Sequence, residues 1–160
     1  MSPRQVSENV MREAPVLASD DRVGDAVRVL LDSGLPGLPV VEAGRLVGIF
    51  GEREFMAALF PGYVKELPYA GFVPHALDDS LAKRAECAAE PIANYMHTEH
   101  VEVGGEFSDL EVAENFLHHR VLIVPVVEEG RVIGVITRAD FFRLLAERFL
   151  AQREEDDGSK

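Results

Sequence analysis

Cysteine is almost missing from this sequence of 160 residues, and positive charge is scarce. A single thiol, Cys87, excludes an internal disulfide framework and any zinc site built from several cysteines. No stretch approaches the ~18 consecutive apolar residues that a membrane helix needs. The opening Met1-Ser2-Pro3-Arg4 is not followed by the apolar run of a secretory signal, so the expected location is cytoplasmic, with no membrane partner. Sixteen Lys and Arg stand against 28 Asp and Glu, a formal charge of −12, which repels nucleic acid over long range. An anionic ligand would therefore have to be held by a local arrangement of donors. Also lacking are a Ser/His/Asp constellation, a glycine-rich phosphate loop and paired catalytic carboxylates. No catalytic residue is named, and the chain is not read as an enzyme.

What is present fits a soluble globular chain: 47% apolar and 28% charged residues. The length suits about one domain of roughly 100–200 residues, long enough to bury a core.

The chain also repeats itself. Pro39-Val40-Val41-Glu42-Ala43-Gly44-Arg45-Leu46-Val47-Gly48-Ile49-Phe50 returns 86 residues later as Pro125-Val126-Val127-Glu128-Glu129-Gly130-Arg131-Val132-Ile133-Gly134-Val135-Ile136, with seven of twelve positions identical. Upstream, Asn9-Val10-Met11 is echoed by Asn94-Tyr95-Met96 at an offset of 85. In the first copy Val23, Ala26, Val27, Leu30 and Leu31 have the spacing of a helix with one apolar face, with Ser19, Asp20 or Asp21 to cap its start and Gly34 to end it. In the second, Leu110, Ala113, Phe116 and Leu117 repeat the pattern behind a Ser108-x-x-Glu111 capping box. Each helix leads into an apolar hairpin, Leu38 to Val41 with Leu46 to Phe50, and Leu122 to Val127 with Val132 to Ile136. Four-residue turns, Glu42 to Arg45 and Glu128 to Arg131, join the strands. Closing helices begin near Glu52 and Arg138, and short strands, Pro15 to Ala18 and His100 to Val103, precede the units. Each unit thus reads as strand–helix–strand–strand–helix.

The expected organisation is a first repeat over 7–60, a linker with a helix over 61–91, a second repeat over 92–150 and a disordered acidic tail over 151–160. In the linker, Phe60-Pro61-Gly62-Tyr63 breaks the preceding helix, and Tyr69 to Pro74 is a turn-rich apolar patch. A helix is expected from Leu77 to Glu90, with Cys87 packed among alanines.

Leu38-Pro39-Val40-Val41-Glu42 with Gly48-Ile49-Phe50, and Val124-Pro125-Val126-Val127-Glu128 with Gly134-Val135-Ile136-Thr137-Arg138-Ala139-Asp140, resemble the cystathionine-β-synthase-type (CBS) domain. Here it is present as a tandem pair, a Bateman module. The first copy departs from the family pattern, with Gly51 in place of Thr and Glu54 in place of Asp. The resemblance implies an α/β fold of two repeats packed with pseudo-twofold symmetry and two clefts between them. It implies a non-catalytic regulatory module that binds an adenosine-containing ligand, AMP, ADP, ATP or S-adenosylmethionine, and signals to a regulated partner or across a homodimer. No cofactor is required. An unliganded structural or protein-interaction module is the alternative.

Thr137 and Asp140 share one side of a first helical turn. An ionised carboxylate can accept both hydroxyls of a ribose diol, and the Thr137 hydroxyl, free helix N–H groups and Arg138 suit a phosphate. Thr-x-x-Asp is equally a helix cap, and the two roles are compatible. The resemblance walls the Asp140 cleft with Ala14, Pro15, Val16, Leu35, Pro36, Gly37, Leu38 and Pro39. Gly37 then serves close approach of a ligand or, alternatively, a turn with positive φ. The second, weaker cleft is expected to use Gly51 and Glu54 with Val101, Leu122, Ile123 and Pro125. His97, His100, His118 and His119 with Glu99 and Glu102 could be drawn as a metal set. His97 and His100 would point to opposite faces of a strand, and His118-His119 suit a helix end, so no metal site is assigned.

Overall fold

A computed structural model describes residues 9–60 and 76–158 of the chain. The first repeat runs β1 (Leu17–Ala18), α1 (Val23–Ser33), β2 (Gly37–Glu42), β3 (Arg45–Gly51) and α2 (Glu52–Leu59). The second runs β4 (Val103–Gly104), α4 (Asp109–His118), β5 (Ile123–Glu128), β6 (Arg131–Thr137) and α5 (Arg138–Gly158), and between them lie α3 (Ala76–Lys83) and two short 3-10 turns. Each repeat builds a three-stranded sheet, β1-β2-β3 or β4-β5-β6, with the first pair parallel and the second antiparallel. The helix between the two parallel strands supplies the crossover that a parallel pair requires.

Both hairpins close more tightly than the sequence reading expected. Glu42 pairs with Arg45 and Glu128 with Arg131, which leaves two-residue turns, Ala43-Gly44 and Glu129-Gly130. Both turn residues have positive φ in each copy (51° and 79°; 53° and 82°), the conformation that matches a two-residue turn to strand twist. The register shift falls at the same place in both, between Val40 and Val41 and between Val126 and Val127.

The compact units of the chain differ from its repeats. One comprises residues 1–14 with 101–160, the other residues 15–100. The arm that leads each repeat is hydrogen-bonded to the hairpin of the other. Arg12 and Val135 exchange backbone hydrogen bonds of 2.8 Å in both directions, and His97 and Ile49 do the same at 2.8 and 2.9 Å. Both arms cross a glycine of the repeated motif. A Cβ on Gly134 would lie 2.8 Å from Met11 Cγ and 2.9 Å from the Arg12 carbonyl oxygen, and one on Gly48 would lie 2.9 Å from the His97 carbonyl oxygen. The echo of Asn9-Val10-Met11 in Asn94-Tyr95-Met96 is the echo of these arms.

In the unit of residues 15–100, Leu17, Val23, Ala26, Leu30, Leu38, Val40, Phe50, Ala58 and Ile92 are buried. Asp21 does not cap α1. Its carboxylate accepts from the Ala18 N–H at 2.8 Å, and the Val23 N–H instead donates to the Glu90 carbonyl at 2.9 Å. Gly34, with φ of 69°, ends the helix as expected. The expected helix from Leu77 to Glu90 is divided into α3 and a 3-10 turn over Ala85–Ala89, where Cys87 is buried. Arg84 joins these segments by donating to the Ala58 carbonyl at 2.9 Å and to the Tyr95 hydroxyl at 3.0 Å, and that hydroxyl donates to Glu90. The expected break at Pro61-Gly62-Tyr63 and the patch Tyr69 to Pro74 lie outside the described residues.

In the other unit, Val103, Phe107, Val112, Val124, Val126, Ile136 and Phe141 form the core. Ser108 caps α4, accepting from the Glu111 N–H at 3.1 Å. The apolar face of α4 is the expected one only in part. Val112 is buried with Ala113 and Phe116 against it, while Leu110 and Leu117 are 82% and 81% exposed. Ala113 and Phe116 keep their inward place, and Val112 joins them instead of Leu110 and Leu117, because Val112 lies two positions, about 200° of helical turn, from Leu110 and so on another side of the helix. The expected disordered tail is corrected as well. Helix α5 continues to Gly158, through Ala151, Gln152, Arg153, Glu154 and Glu155, all good helix formers.

Candidate functional site

Helix α5 starts where β6 ends, and its first turn places Thr137, Arg138 and Asp140. Thr137 is buried at the end of the strand, and its hydroxyl oxygen accepts the Asp140 N–H at 3.1 Å. The cap reading of Thr-x-x-Asp is therefore correct as far as Thr137 is concerned. The Arg138 N–H donates to the Leu122 carbonyl at 2.9 Å, while its guanidinium carries an exposed charge.

Asp140 has a partner that the sequence reading did not name. Arg12 Nε lies 2.6 Å from Asp140 Oδ2 and Arg12 Nη2 lies 2.8 Å from Oδ1, a side-on, two-pronged ion pair. The Arg12 side chain is 51% exposed and that of Asp140 only 12%, so the carboxylate is largely covered while the guanidinium reaches it from the solvent side. Partial burial would raise the Asp140 carboxyl, but hydrogen bonds from Arg12 and Thr137, with the charges of Arg12 and Arg143, outweigh it and hold the group below the usual carboxylate range. The group stays ionised and acceptor-only near neutral pH. Arg12 and Asp140 stand 128 positions apart, so no local motif links them. The signal that could have found Arg12 is the repeat itself. Continued one residue beyond Met11 and Met96, it aligns Arg12 with His97, each the basic residue of an arm.

The corresponding turn of the unit of residues 15–100 is built differently. Gly51 occupies the Thr137 position, and the reason is space. A Cβ there would lie 2.4 Å from the Pro36 carbonyl oxygen and 2.7 Å from Gly37 Cα. Gly37 and Gly51 face each other as a register pair, where the other hairpin pairs Ile123 with Thr137. Gly37 does not have positive φ, so its turn reading falls, and the close approach it permits is to the backbone of β3. Glu54 folds back to accept the Gly51 N–H at 3.0 Å. Burial raises its carboxyl above the ordinary value, against the opposing pull of that hydrogen bond and of the His97 and Arg53 charges. The acid-and-base pairing thus recurs in both copies, Arg12 with Asp140 and His97 near Glu54. The two carboxyls are shifted in opposite directions, Asp140 down by its charged partners and Glu54 up by burial.

The remaining residues expected around these acids divide between the units. Ala14, Val101, Leu122, Ile123 and Pro125 share the unit of Asp140, with Ile123 and Pro125 buried. Pro15, Val16, Leu35, Pro36, Gly37, Leu38 and Pro39 share the unit of Glu54, with Leu35, Gly37, Leu38 and Pro39 buried and Val16 exposed. The Pro36 carbonyl accepts the Glu52 N–H at 3.0 Å, the counterpart of the Leu122–Arg138 bond. Among the described residues, no three His, Cys, Asp or Glu side chains are grouped to hold a metal ion, and no helix is long and apolar enough to cross a membrane.

Comparison with known proteins places this geometry. The family profile of the CBS domain matches residues 6–61 and 92–147. An inosine-5'-monophosphate dehydrogenase of Korarchaeum cryptofilum is 26% identical over 147 residues, 91% of this chain and 25% of that enzyme. The chain spans about a quarter of the length of such dehydrogenase relatives. Among solved structures, a CBS domain-containing protein of unknown function from Kribbella flavida has a TM-score of 0.68 at 27% identity, covering 89% of this chain and 99% of its own. The AMP complex of CBSX2, a CBS-pair protein of Arabidopsis thaliana, has a TM-score of 0.64 at 20% identity, covering 90% and 98%.

Proposed function

Because the chain belongs to the CBS-domain family, we propose that it is a non-catalytic regulatory module in which Asp140 grips the ribose diol of an adenosine-containing ligand. The observation that carries this reading is the Asp140 carboxylate itself. It is largely covered, held ionised and fixed on the first turn of α5 beside the Thr137 hydroxyl. That combination suits a pair of neighbouring hydroxyl donors. The α5 N-terminus and Arg138 favour a phosphate nearby. An AMP complex exists for CBSX2, whose fold this chain shares, and AMP, ADP, ATP and S-adenosylmethionine are the ligand candidates. Assignment of the adenine to Val16 and to Leu35 through Pro39 rests on the family resemblance alone. The Glu54 turn is proposed to be the weaker site, since it lacks the hydroxyl and its carboxylate is engaged with Gly51.

Output is proposed to pass through a homodimer or a separate regulated protein in the cytoplasm. Large apolar side chains stand exposed on α4 (Leu110, Leu117) and on α5 (Phe142, Leu145, Phe149, Leu150), which favours self-association. One observation favours the alternative of an unliganded interaction module: both oxygens of Asp140 already have a protein partner in Arg12.

Isothermal titration with adenosine, AMP, ATP and S-adenosylmethionine separates the two readings. The regulatory reading expects at least one of them to bind. Asp140→Ala should then weaken binding by about 1.5–3 kcal/mol, the worth of a charge-assisted hydrogen bond. Thermal denaturation of the variant checks that the fold is retained. No binding by any of the four would leave the interaction module, and an affinity untouched by Asp140→Ala would reduce Asp140 to a helix-start residue outside the ligand site.

A further inference from the structure

The Asp140 carboxylate is more occupied than a ribose-binding acid can be while it works. An ionised carboxylate offers about four acceptor positions. Arg12 takes one on each oxygen, from the solvent side. A vicinal diol also needs one on each oxygen, so it and the Arg12 fork compete for the same carboxylate. The guanidinium is the member that can leave. Its side chain is half exposed, whereas Asp140 is fixed to a helix and largely covered. The backbone of Arg12 is held independently, by its two hydrogen bonds to Val135, so the side chain can swing without unpairing the arm.

We propose that Arg12 is a built-in competitor for the ligand of Asp140, evicted when a ribose diol binds. This inference rests on the proposed function above. Occupancy would then be transmitted to the N-terminal arm, because eviction removes the side-chain tie between that arm and α5. The backbone pairing and the contact of Met11 with Gly134 remain to hold it. Arg12 is a gating residue here and makes no contact needed by a neutral nucleoside.

Adenosine is the decisive probe, since it carries the diol but no phosphate that a freed guanidinium could attract. In calorimetry of the full chain, Arg12→Gln should bind adenosine about three- to ten-fold more tightly than the unchanged protein, the range expected for losing a two-pronged but half-exposed competitor. Arg12→Lys, which keeps the charge without the fork, should fall between. In the unchanged protein, the Arg12 Nε–H resonance should lose its carboxylate-bound shift as adenosine saturates. Equal or weaker adenosine binding by Arg12→Gln, or an Nε–H resonance unmoved at saturation, overturns the competitor while leaving the ribose site intact. If neither the unchanged protein nor Arg12→Gln binds adenosine or AMP, the ribose site itself fails, and the competitor with it.

Discussion

Gly51 is the position where the two copies of the repeat differ most sharply, and the difference can be tested by giving it a side chain. Its φ of −148° is ordinary extended backbone, so alanine incurs no conformational penalty there. The penalty is steric. The added Cβ would stand 2.4 Å from the Pro36 carbonyl oxygen and 2.7 Å from Gly37 Cα, both backbone atoms that no rotamer change can move. Relief requires the ends of β2 and β3 to part, and overpacking of this kind costs about 1–3 kcal/mol. Parting them also stretches the 3.0 Å bond from the Glu52 N–H to the Pro36 carbonyl, a further ~0.5–1.5 kcal/mol. A total of about 1.5–4.5 kcal/mol lowers Tm by roughly 3–18 °C in a chain of this size. Differential scanning calorimetry of Gly51→Ala, with Gly104→Ala as control, measures it. Gly104 also lies in a strand, but a Cβ there meets nothing within 4 Å. Gly51→Thr, which restores the family residue, should be at least as destabilising as alanine and should not create a second ligand site. A Gly51→Ala melting curve indistinguishable from that of Gly104→Ala would refute the steric account of why this copy has no threonine.

Two other measurements bear on the same units. Burial lifts the folded-state carboxyl of Glu54 above its unfolded value of 4.5, so the stability linked to this group is complete below that value and is lost as pH rises through the folded one. Glu54→Gln, whose carbonyl oxygen can still accept the Gly51 N–H, should therefore melt higher than the unchanged protein at pH 7, with the gap closing towards pH 4; a gap independent of pH would show that titration is not the cause. For self-association, light scattering should give about twice the 17.6 kDa chain mass, and Leu117→Glu with Phe149→Glu should return it to one chain. An unaltered mass in the double variant would remove α4 and α5 from the interface.

Much of this architecture is legible in the residues because it is said twice. The hairpins, their helices and Gly34 as a stop follow from short apolar runs around a glycine turn, helical spacing and a left-handed cap, all local properties. Leu110 and Leu117 mislead because spacing identifies a stripe but not which stripe the sheet covers, and Val112 wins that place. Thr137 and Asp140 are readable as a pair because they share one helical turn. Arg12 is not, because its link to Asp140 passes through the pairing of the arm with β6. The closeness of Gly51 to Pro36 is equally hidden, since glycine at a helix start looks like a substitute cap until the carbonyl facing it is seen.

The crossed arms mean that covalent continuity and structural completeness are separate matters in this protein. Cutting the polypeptide between 60 and 76 would give two peptides, each retaining a hairpin and each holding the strip that the other's glycine groove is shaped to receive. Neither piece could be finished alone. The tether raises the effective concentration at which the halves complete each other, and co-produced pieces at sufficient concentration would rebuild a nicked whole.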